Sequence, residues 1–438
     1  MSLQKMQMLQ KECNFDAEHF IETIIFLIHE PNVISPSLLR AEIVEWKGPT
    51  TVDEFVNDKN TTITIKRKLI PKQQKRDPVM WQVSTIEWKV EEREISVKHM
   101  SYDSTFTELA LPECLPYFYP KVLYYELRYQ YQLQTLYLNF EYFPNVHLDD
   151  KRNDYVWNKV LDHIVKICVG KMNGYQKKFL HDVAVNKISY QNKYLELKEK
   201  YCHWVNDWTE GTDPSKHVFE DISIATWLIL LWNSDYQPIG REFRFVDVGC
   251  GNGFLTHILL SEGFKGYGID LSRRKLWNLF PSDQQAFLVE RPIDPFNEEF
   301  SKVEWIIGNH ADELTPWVPI WASKYQCKFV SIPCCPHLLS GAKFTKKFKD
   351  LGRYESYCQF LIQQTIELGL DVEREHLRIP STKNVAIYLR NPPGSSASLK
   401  AMSMIRNVNV TIRETDREKT LKRAAKKAIK SDLAAIEQ

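Results

Sequence analysis

The chain has 438 residues, more than one hydrophobic core usually organises, so two domains are expected. Hydrophobic residues make up 43% and charged residues 26%, as in a globular protein, while 57 basic and 56 acidic side chains leave a net charge of only +1, so a charged partner must be met by local clusters. Nine cysteines without a C-x-x-C pair argue against a disulfide framework or a finger-type zinc site, the amino terminus has no apolar signal core, and the longest apolar stretch, residues 224–232, is far too short to cross a bilayer.

These features predict a soluble chain of a reducing compartment, with no membrane partner. Residues 16–29 read as a helix, with Phe20, Ile21, Ile24, Leu27 and Ile28 on one side and Pro31 just beyond. From about residue 40 to 145 the period shortens to two. Ile86, Trp88 and Val90 alternate with polar residues, as do Tyr125, Leu127, Tyr129, Tyr131 and Leu133, and then Leu136, Leu138, Phe140 and Tyr142, a pattern of half-buried antiparallel strands. Residues 1–150 therefore read as an α+β domain. Helical spacing returns at Trp157, Val160, Leu161, Ile164 and Cys168, with Gly170 as the expected stop, and again over 187–208, so 151–210 reads as a helical connector. Asp213-Pro214 then starts a helix that carries the apolar segment 218–232, Asp213 as cap and Pro214 in the first helical position.

From residue 243 short apolar strands alternate with helices: 243–248, 267–269, 287–289, 305–307 and 329–332. That order predicts an α/β domain over 211–394, its parallel-majority sheet covered on both faces, with 385–389 as a late antiparallel edge strand. Asn391-Pro392-Pro393-Gly394-Ser395-Ser396 reads as a linker, and 395–438 as a basic tail with helix-forming character carrying Lys422, Arg423, Lys426, Lys427 and Lys430.

The most informative stretch is Val246-Asp247-Val248-Gly249-Cys250-Gly251-Asn252-Gly253-Phe254. A strand enters a tight turn with three alternating glycines and leaves as a helix, whose unpaired N–H groups suit a carboxylate. A dinucleotide site wants a small residue where this chain has Phe254, which counts against NAD or FAD. The spacing G-x-G-x-G behind an acidic residue is that of S-adenosyl-L-methionine sites, with Gly249, Gly251 and Gly253 as bare main chain and Asp247 placed to accept a hydrogen bond from the cofactor ammonium, directly or through water. The next strand ends at Asp270, about twenty residues after the first glycine, where a carboxylate takes both ribose hydroxyls.

Four segments together resemble the tRNA uracil-2′-O-methyltransferases that modify uridine-44 of serine tRNAs. They are Trp208-Thr209-Glu210-Gly211-Thr212-Asp213-Pro214-Ser215-Lys216-His217-Val218-Phe219-Glu220-Asp221, the glycine loop, Ile307-Gly308-Asn309-His310-Ala311-Asp312-Glu313-Leu314-Thr315-Pro316-Trp317, and Ser331-Ile332-Pro333-Cys334-Cys335. The glycine loop is shared with many methyltransferases, and the other three are far more specific. The resemblance spans about residues 200–390 and implies a Rossmann-like class I methyltransferase domain. It further implies a tRNA substrate, methyl transfer to a ribose 2′-hydroxyl, and a cytoplasmic enzyme. It supplies no catalytic base.

Asn309, His310 and Asp312 follow the fourth strand at the edge where open α/β sheets bind ligands. His310 or Asp312 would take the hydroxyl proton unless both only brace the loop, and Asn309 would lie against the cofactor. Lys216 would reach the cofactor carboxylate, unless it forms with His217, Glu220 and Asp221 a plain solvated helix face. Asp294 would contact adenine, unless it is a turn residue before Pro295. Cys334-Cys335-Pro336-His337 suggests zinc, but adjacent cysteines do not easily face one ion and no fourth ligand is nearby, so no metal is expected and the segment reads as a pocket wall. Basic residues at Lys343, Lys346, Lys347 and Lys349, at Lys66-Arg67-Lys68 with Lys72, Lys75 and Arg76, and along the tail are either phosphate contacts or solvated faces. Tyr354 and Tyr357 would stack an extruded base or belong to the core. Competing readings keep the cofactor with a protein or small-molecule acceptor, or make the chain a non-catalytic RNA-binding module.

Overall fold

The computed structural model describes residues 7–57, 61–102, 115–116, 118–143, 150–175, 181–235, 244–300 and 302–408, and the chain divides into two compact units, residues 1–177 and 178–438. In the first unit β1 (Gln7–Glu12), α1 (Ala17–His29), β2 (Leu38–Lys47), α2 (Val52–Asn57), β3 (Thr62–Pro71), β4 (Met80–Lys89), β5 (Glu94–Tyr102), β6 (Val122–Gln130), β7 (Thr135–Tyr142) and α3 (Asp150–Met172) follow in order. Their seven strands form one antiparallel sheet in the order β1-β7-β6-β5-β4-β3-β2. The Asp16 carboxylate accepts from the His19 amide at 2.9 Å and opens α1. Phe20, Ile21 and Ile24 of α1, with Trp157, Leu161 and Ile164 of α3, meet Leu127, Tyr129, Leu136 and Leu138 of the sheet in one core.

Three expectations change here. Strand β6 ends at Gln130, so Tyr131 and Leu133 lie in the turn to β7, and Leu133 is exposed. Helix α3 runs through Gly170 to Met172, because a buried face on Trp157, Leu161, Ile164 and Cys168 outweighs the ~1 kcal/mol that an interior glycine costs. The basic run at 66–68 is split by strand alternation: Arg67 points inward and is buried, while Lys66 and Lys68 flank the Trp81 ring.

The second unit begins with α4 (Lys187–Tyr201) and α5 (Pro214–Asp235). There follow β8 (Phe245–Val248), α6 (Phe254–Ser261), β9 (Gly266–Asp270), α7 (Ser282–Gln285), β10 (Leu288–Glu290), β11 (Trp305–Asn309), α8 (Val318–Tyr325) and β12 (Lys328–Ile332). The last elements are α9 (Arg353–Glu367), β13 (Glu373–His376), β14 (Val385–Leu389) and α10 (Ser395–Arg406). Its sheet runs β10-β9-β8-β11-β12-β14-β13, parallel through β12 and antiparallel beyond. This is the Rossmann-like α/β architecture that the strand–helix alternation predicts. Successive residues feed opposite cores: Phe245 joins α5 and α6 on one face, Val246 joins α8 and α9 on the other. Strand β14 is interior rather than the edge; β13 lies outside it, unread in the sequence because Glu-Arg-Glu-His has no apolar alternation. Glu375 of β13 instead accepts from the Trp227 indole at 3.0 Å and the Ala184 amide at 2.7 Å.

Beyond the predicted linker, Ala397 and Ala401 of α10 join the same core as α8. The basic residues Lys422, Arg423, Lys426, Lys427 and Lys430 lie outside the described residues. Among the described residues, no helix is long and apolar enough to cross a membrane.

Candidate active site

The strand order reverses between β8 and β11, and the crevice beyond their carboxyl ends is where open α/β sheets bind ligands. Gly249, Gly251 and Gly253 have φ of +70°, +54° and +74°, the left-handed region that disfavours a side chain. A Cβ on Gly253 would stand 2.8 Å from the Trp277 indole nitrogen, whereas one on Gly251 would meet nothing within 4 Å. Gly251 is thus open main chain, held by Trp277 donating to its carbonyl at 3.0 Å and by its own amide donating to Asp270 Oδ2 at 2.9 Å. The Asn252 side chain accepts from the Phe254 amide at 2.7 Å and starts α6.

A crevice of about 250 Å³ opens over this loop. Gly249, Gly251, Asp270, His310 and Asp312 line it, together with Ser272, Arg274 and Trp317, which the sequence did not single out. Asp270 is mostly buried at the end of β9, and its Oδ1 also accepts from the Ser272 amide at 3.2 Å and lies 3.6 Å from Arg274. A carboxylate has about four acceptor sites, so two hydroxyls can still be taken.

Behind the loop sits a cluster of buried acids. Asp247 is 1% exposed; its Oδ2 accepts from Thr256 at 2.9 Å and its Oδ1 has no partner. Burial pushes this carboxyl up to about 7; the Thr256 hydrogen bond opposes the shift and the charge of Asp270 adds to it. Glu220 and Asp221, on α5, are 4% and 7% exposed, so they are not a solvated helix face. The signal was present: Ile222 to Trp232 is apolar on all sides, and a helix apolar all round is buried together with its ends. Burial, then the charges of Glu220 and Asp247, holds the Asp221 carboxyl well above the usual range, while Asn252 and Asn309 hydrogen-bond to it. Asn309 Nδ2 donates to Asp221 at 3.4 Å and its Oδ1 is buried without a partner.

His310 has φ +53° and Asp312 +45°, a strained pair in the loop after β11. The His310 Nε2 lies 3.2 Å from Glu220 Oε1, and its Nδ1 is buried without a partner. Asp312 accepts from the Cys334 thiol at 3.3 Å. Ligand atoms of Asp312, Cys334 and Cys335 lie within 4.8 Å of one another, so adjacent cysteines do converge here, contrary to the sequence argument. Burial and the nearby Asp312 charge push both thiols up, which opposes the deprotonation a metal requires.

The other candidates lie apart from the lining. Lys216 is exposed in the first turn of α5, which Asp213 caps by accepting from the Ser215 amide at 3.0 Å. Asp294 accepts from the Phe296 amide at 3.1 Å and Asn297 at 2.8 Å, as a turn residue does, although its neighbours Ile293 and Pro295 line the crevice. Tyr357 is fully buried, so it cannot stack a base, and Lys383 lies over the half-buried Tyr354 ring. Lys343, Lys346, Lys347 and Lys349 are all exposed. The segment from Trp208 braces the loop: Glu210 accepts from the Leu276 amide at 2.9 Å, and Trp208 stacks on His217 and stands edge-on to Phe254.

Residues 183–295 match the family described as a predicted AdoMet-dependent methyltransferase, and residues 4–178 match the TRM44-like, N-terminal bet v1-like domain. A tRNA (uracil-O(2)-)-methyltransferase of Schizosaccharomyces pombe is 35% identical, the match covering 89% of this chain and 86% of that protein. The protein of the same name from Neurospora crassa is 33% identical over 90% of this chain and 88% of its own. A probable tRNA (uracil-O(2)-)-methyltransferase of Drosophila melanogaster is 42% identical over 46% of this chain and 40% of its own. Among solved structures, magnesium protoporphyrin IX methyltransferase from Synechocystis with bound SAM aligns with 49% of this chain and 98% of its own, at 13% identity and a TM-score of 0.28.

Proposed function

We propose that the chain, which belongs to the tRNA (uracil-O(2)-)-methyltransferase family, transfers a methyl group from S-adenosylmethionine to the ribose 2′-hydroxyl of a uridine in tRNA. What carries the reading is similarity spread over both units, 89% of this chain against 86% of the Schizosaccharomyces pombe protein, rather than over a cofactor fold alone. The earlier resemblance narrows the acceptor to uridine-44 of serine tRNA, and the cytoplasm is the compartment that fits.

The crevice fits the cofactor on two observations: the open main chain at Gly251 and the orphaned Oδ1 of buried Asp247. Gly249 and Gly251 would lie against it, Asp270 would accept its ribose hydroxyls, and Asp247 would face its ammonium group. When bound, S-adenosylmethionine supplies a methyl group on a sulfonium, open to in-line displacement. Asn309 would lie against the cofactor while its Nδ2 stays tied to Asp221. Lys216 and Asp294 would act only from outside the lining, and the exposed group Lys343, Lys346, Lys347 and Lys349 would meet phosphates.

Of the two candidate bases His310 is favoured. Glu220 at its Nε2 selects the tautomer protonated there and leaves Nδ1 as an acceptor for the 2′-hydroxyl proton. Asp312 already accepts from Cys334, so it better serves as a brace. Positioning can supply about 7–11 kcal/mol and a general base about 10²–10⁴-fold, or roughly 3–5 kcal/mol, so alignment outweighs the base.

Mass spectrometry of nucleosides from tRNA of a strain lacking this gene tests the substrate. 2′-O-methyluridine should disappear and return with the wild-type gene but not with Gly251→Arg, whose side chain would stand in the crevice. Persistence of that nucleoside in the deletion strain refutes the assignment.

A further inference from the structure

We propose that a cavity inside the first unit is a second binding site, for an amphipathic organic anion whose apolar body lies among α1, α3 and the sheet and whose head meets Arg67. The cavity holds about 290 Å³, against about 250 Å³ for the crevice over the glycine loop, so it has room for a small organic molecule. Its walls are apolar, formed by Ile24 and Leu27 of α1, Trp157, Val160 and Ile164 of α3, and Leu127 of β6. The lining extends from buried Arg67 to exposed Val156, so the cavity reaches the surface.

Arg67, Gln82, His99 and Tyr119 make the polar part of the lining. A guanidinium has five N–H donors and keeps its charge in a protein. Arg67 Nε and Nη2 donate to Gln82 Oε1 at 3.1 and 2.5 Å, and Nη1 donates to the carbonyls of Leu27 and Ile28. Four donors are so engaged and one on Nη2 remains. Among the described residues no carboxylate pairs with Arg67, and the carbonyls at the end of α1 offer only the partial charge of a helix terminus.

The neighbours add no negative charge. Burial and Arg67 hold the His99 imidazole well below its usual range, so it is neutral, with Nδ1 at 2.7 Å from Ser84 Oγ. Burial pushes the Tyr119 phenol up, so it too is neutral, and its oxygen accepts from Gln82 Nε2 at 2.7 Å and Ser101 at 3.0 Å. A role for Arg67 as a cap on α1 explains Nη1 alone. It leaves a buried cation facing an apolar chamber, a costly arrangement that an anionic head would relieve.

The test is fluorescence titration of the full-length protein with 1-anilinonaphthalene-8-sulfonate, an aromatic body bearing one sulfonate. One saturable site per chain is expected, emptied by decanoate but not by decanol or S-adenosylmethionine at the same concentration. Arg67→Met should weaken binding about 10- to 100-fold, as expected for a lost charge-assisted hydrogen bond. Val160→Trp should fill the chamber and abolish binding with Arg67 intact. If Arg67→Met does not fold by circular dichroism, Val160→Trp and the decanoate–decanol pair decide. Binding without a single saturable site, unaffected by Val160→Trp, or displaced equally by decanol or by S-adenosylmethionine overturns the proposal.

Discussion

The Asp247→Asn substitution probes the buried carboxyl behind the glycine loop through the pH dependence of cofactor binding. In the folded chain that carboxyl stands at about 7 instead of 3.8, chiefly through burial. The folded protein therefore holds, between about pH 4 and 7, a proton that the unfolded chain has released. Without cofactor, stability falls as pH rises through this window, by up to about 4 kcal/mol at 1.36 kcal/mol per decade. A cationic ammonium group needs the carboxylate form. At pH 6 about nine tenths of the carboxyl is protonated, so binding must expel roughly 0.9 proton, and affinity should fall about tenfold per pH unit below 7. Calorimetry in two buffers of different ionisation enthalpy measures that release directly. Asp247→Asn should release no proton, lose the pH dependence, bind about 10- to 100-fold more weakly near pH 8, and unfold at a higher temperature than the parent above pH 7. Equal parental affinity at about pH 5.5 and 7, or proton release that survives the substitution, refutes the reasoning.

Gly263→Ala, at φ +90° in open space, should cost about 1–2 kcal/mol, whereas Gly253→Ala should cost more, because its Cβ would meet Trp277 at 2.8 Å; equal losses in thermal unfolding would contradict this. His310→Ala should lower kcat about 10²–10⁴-fold with cofactor affinity unchanged, and Glu220→Gln, which keeps an acceptor at Nε2, should lose less; an Asp312→Asn loss larger than that of His310→Ala would transfer the base to Asp312. Replacing Lys343, Lys346, Lys347 and Lys349 together by Gln should flatten the salt dependence of tRNA binding by about 3 to 4 in log–log slope, and an unchanged slope places the RNA elsewhere. Asp312, Cys334 and Cys335 offer three ligand atoms, two of them thiols held protonated, so chelator dialysis should leave activity intact; stoichiometric zinc lost together with activity would reverse that expectation.

Much of the second unit was legible because its signals are local. The three alternating glycines carry their own positive φ, Asp213 and Pro214 cap and start α5, and Asp270 ends the next strand one helix later. In the first unit, period-two alternation marks strands but not which residues face a ligand. It presents Lys66, Arg67 and Lys68 as one basic run, although their side chains leave opposite faces of β3. Strand β13 was silent because its side chains are polar and its place in the sheet comes from pairing with β14.

The sequence alone determined the strand–loop–helix cradle, the carboxylate beside it and the strand–helix alternation, since backbone conformation, capping and side-chain period are fixed by a few neighbouring residues. Tertiary structure alone decided which charges lose water. Glu220 reaches His310 across 90 residues, Asp312 reaches Cys334 across 22, and Arg67 is enclosed by a helix some 39 residues earlier. Desolvation depends on what the rest of the chain lays over a group, and no window around that group contains this information.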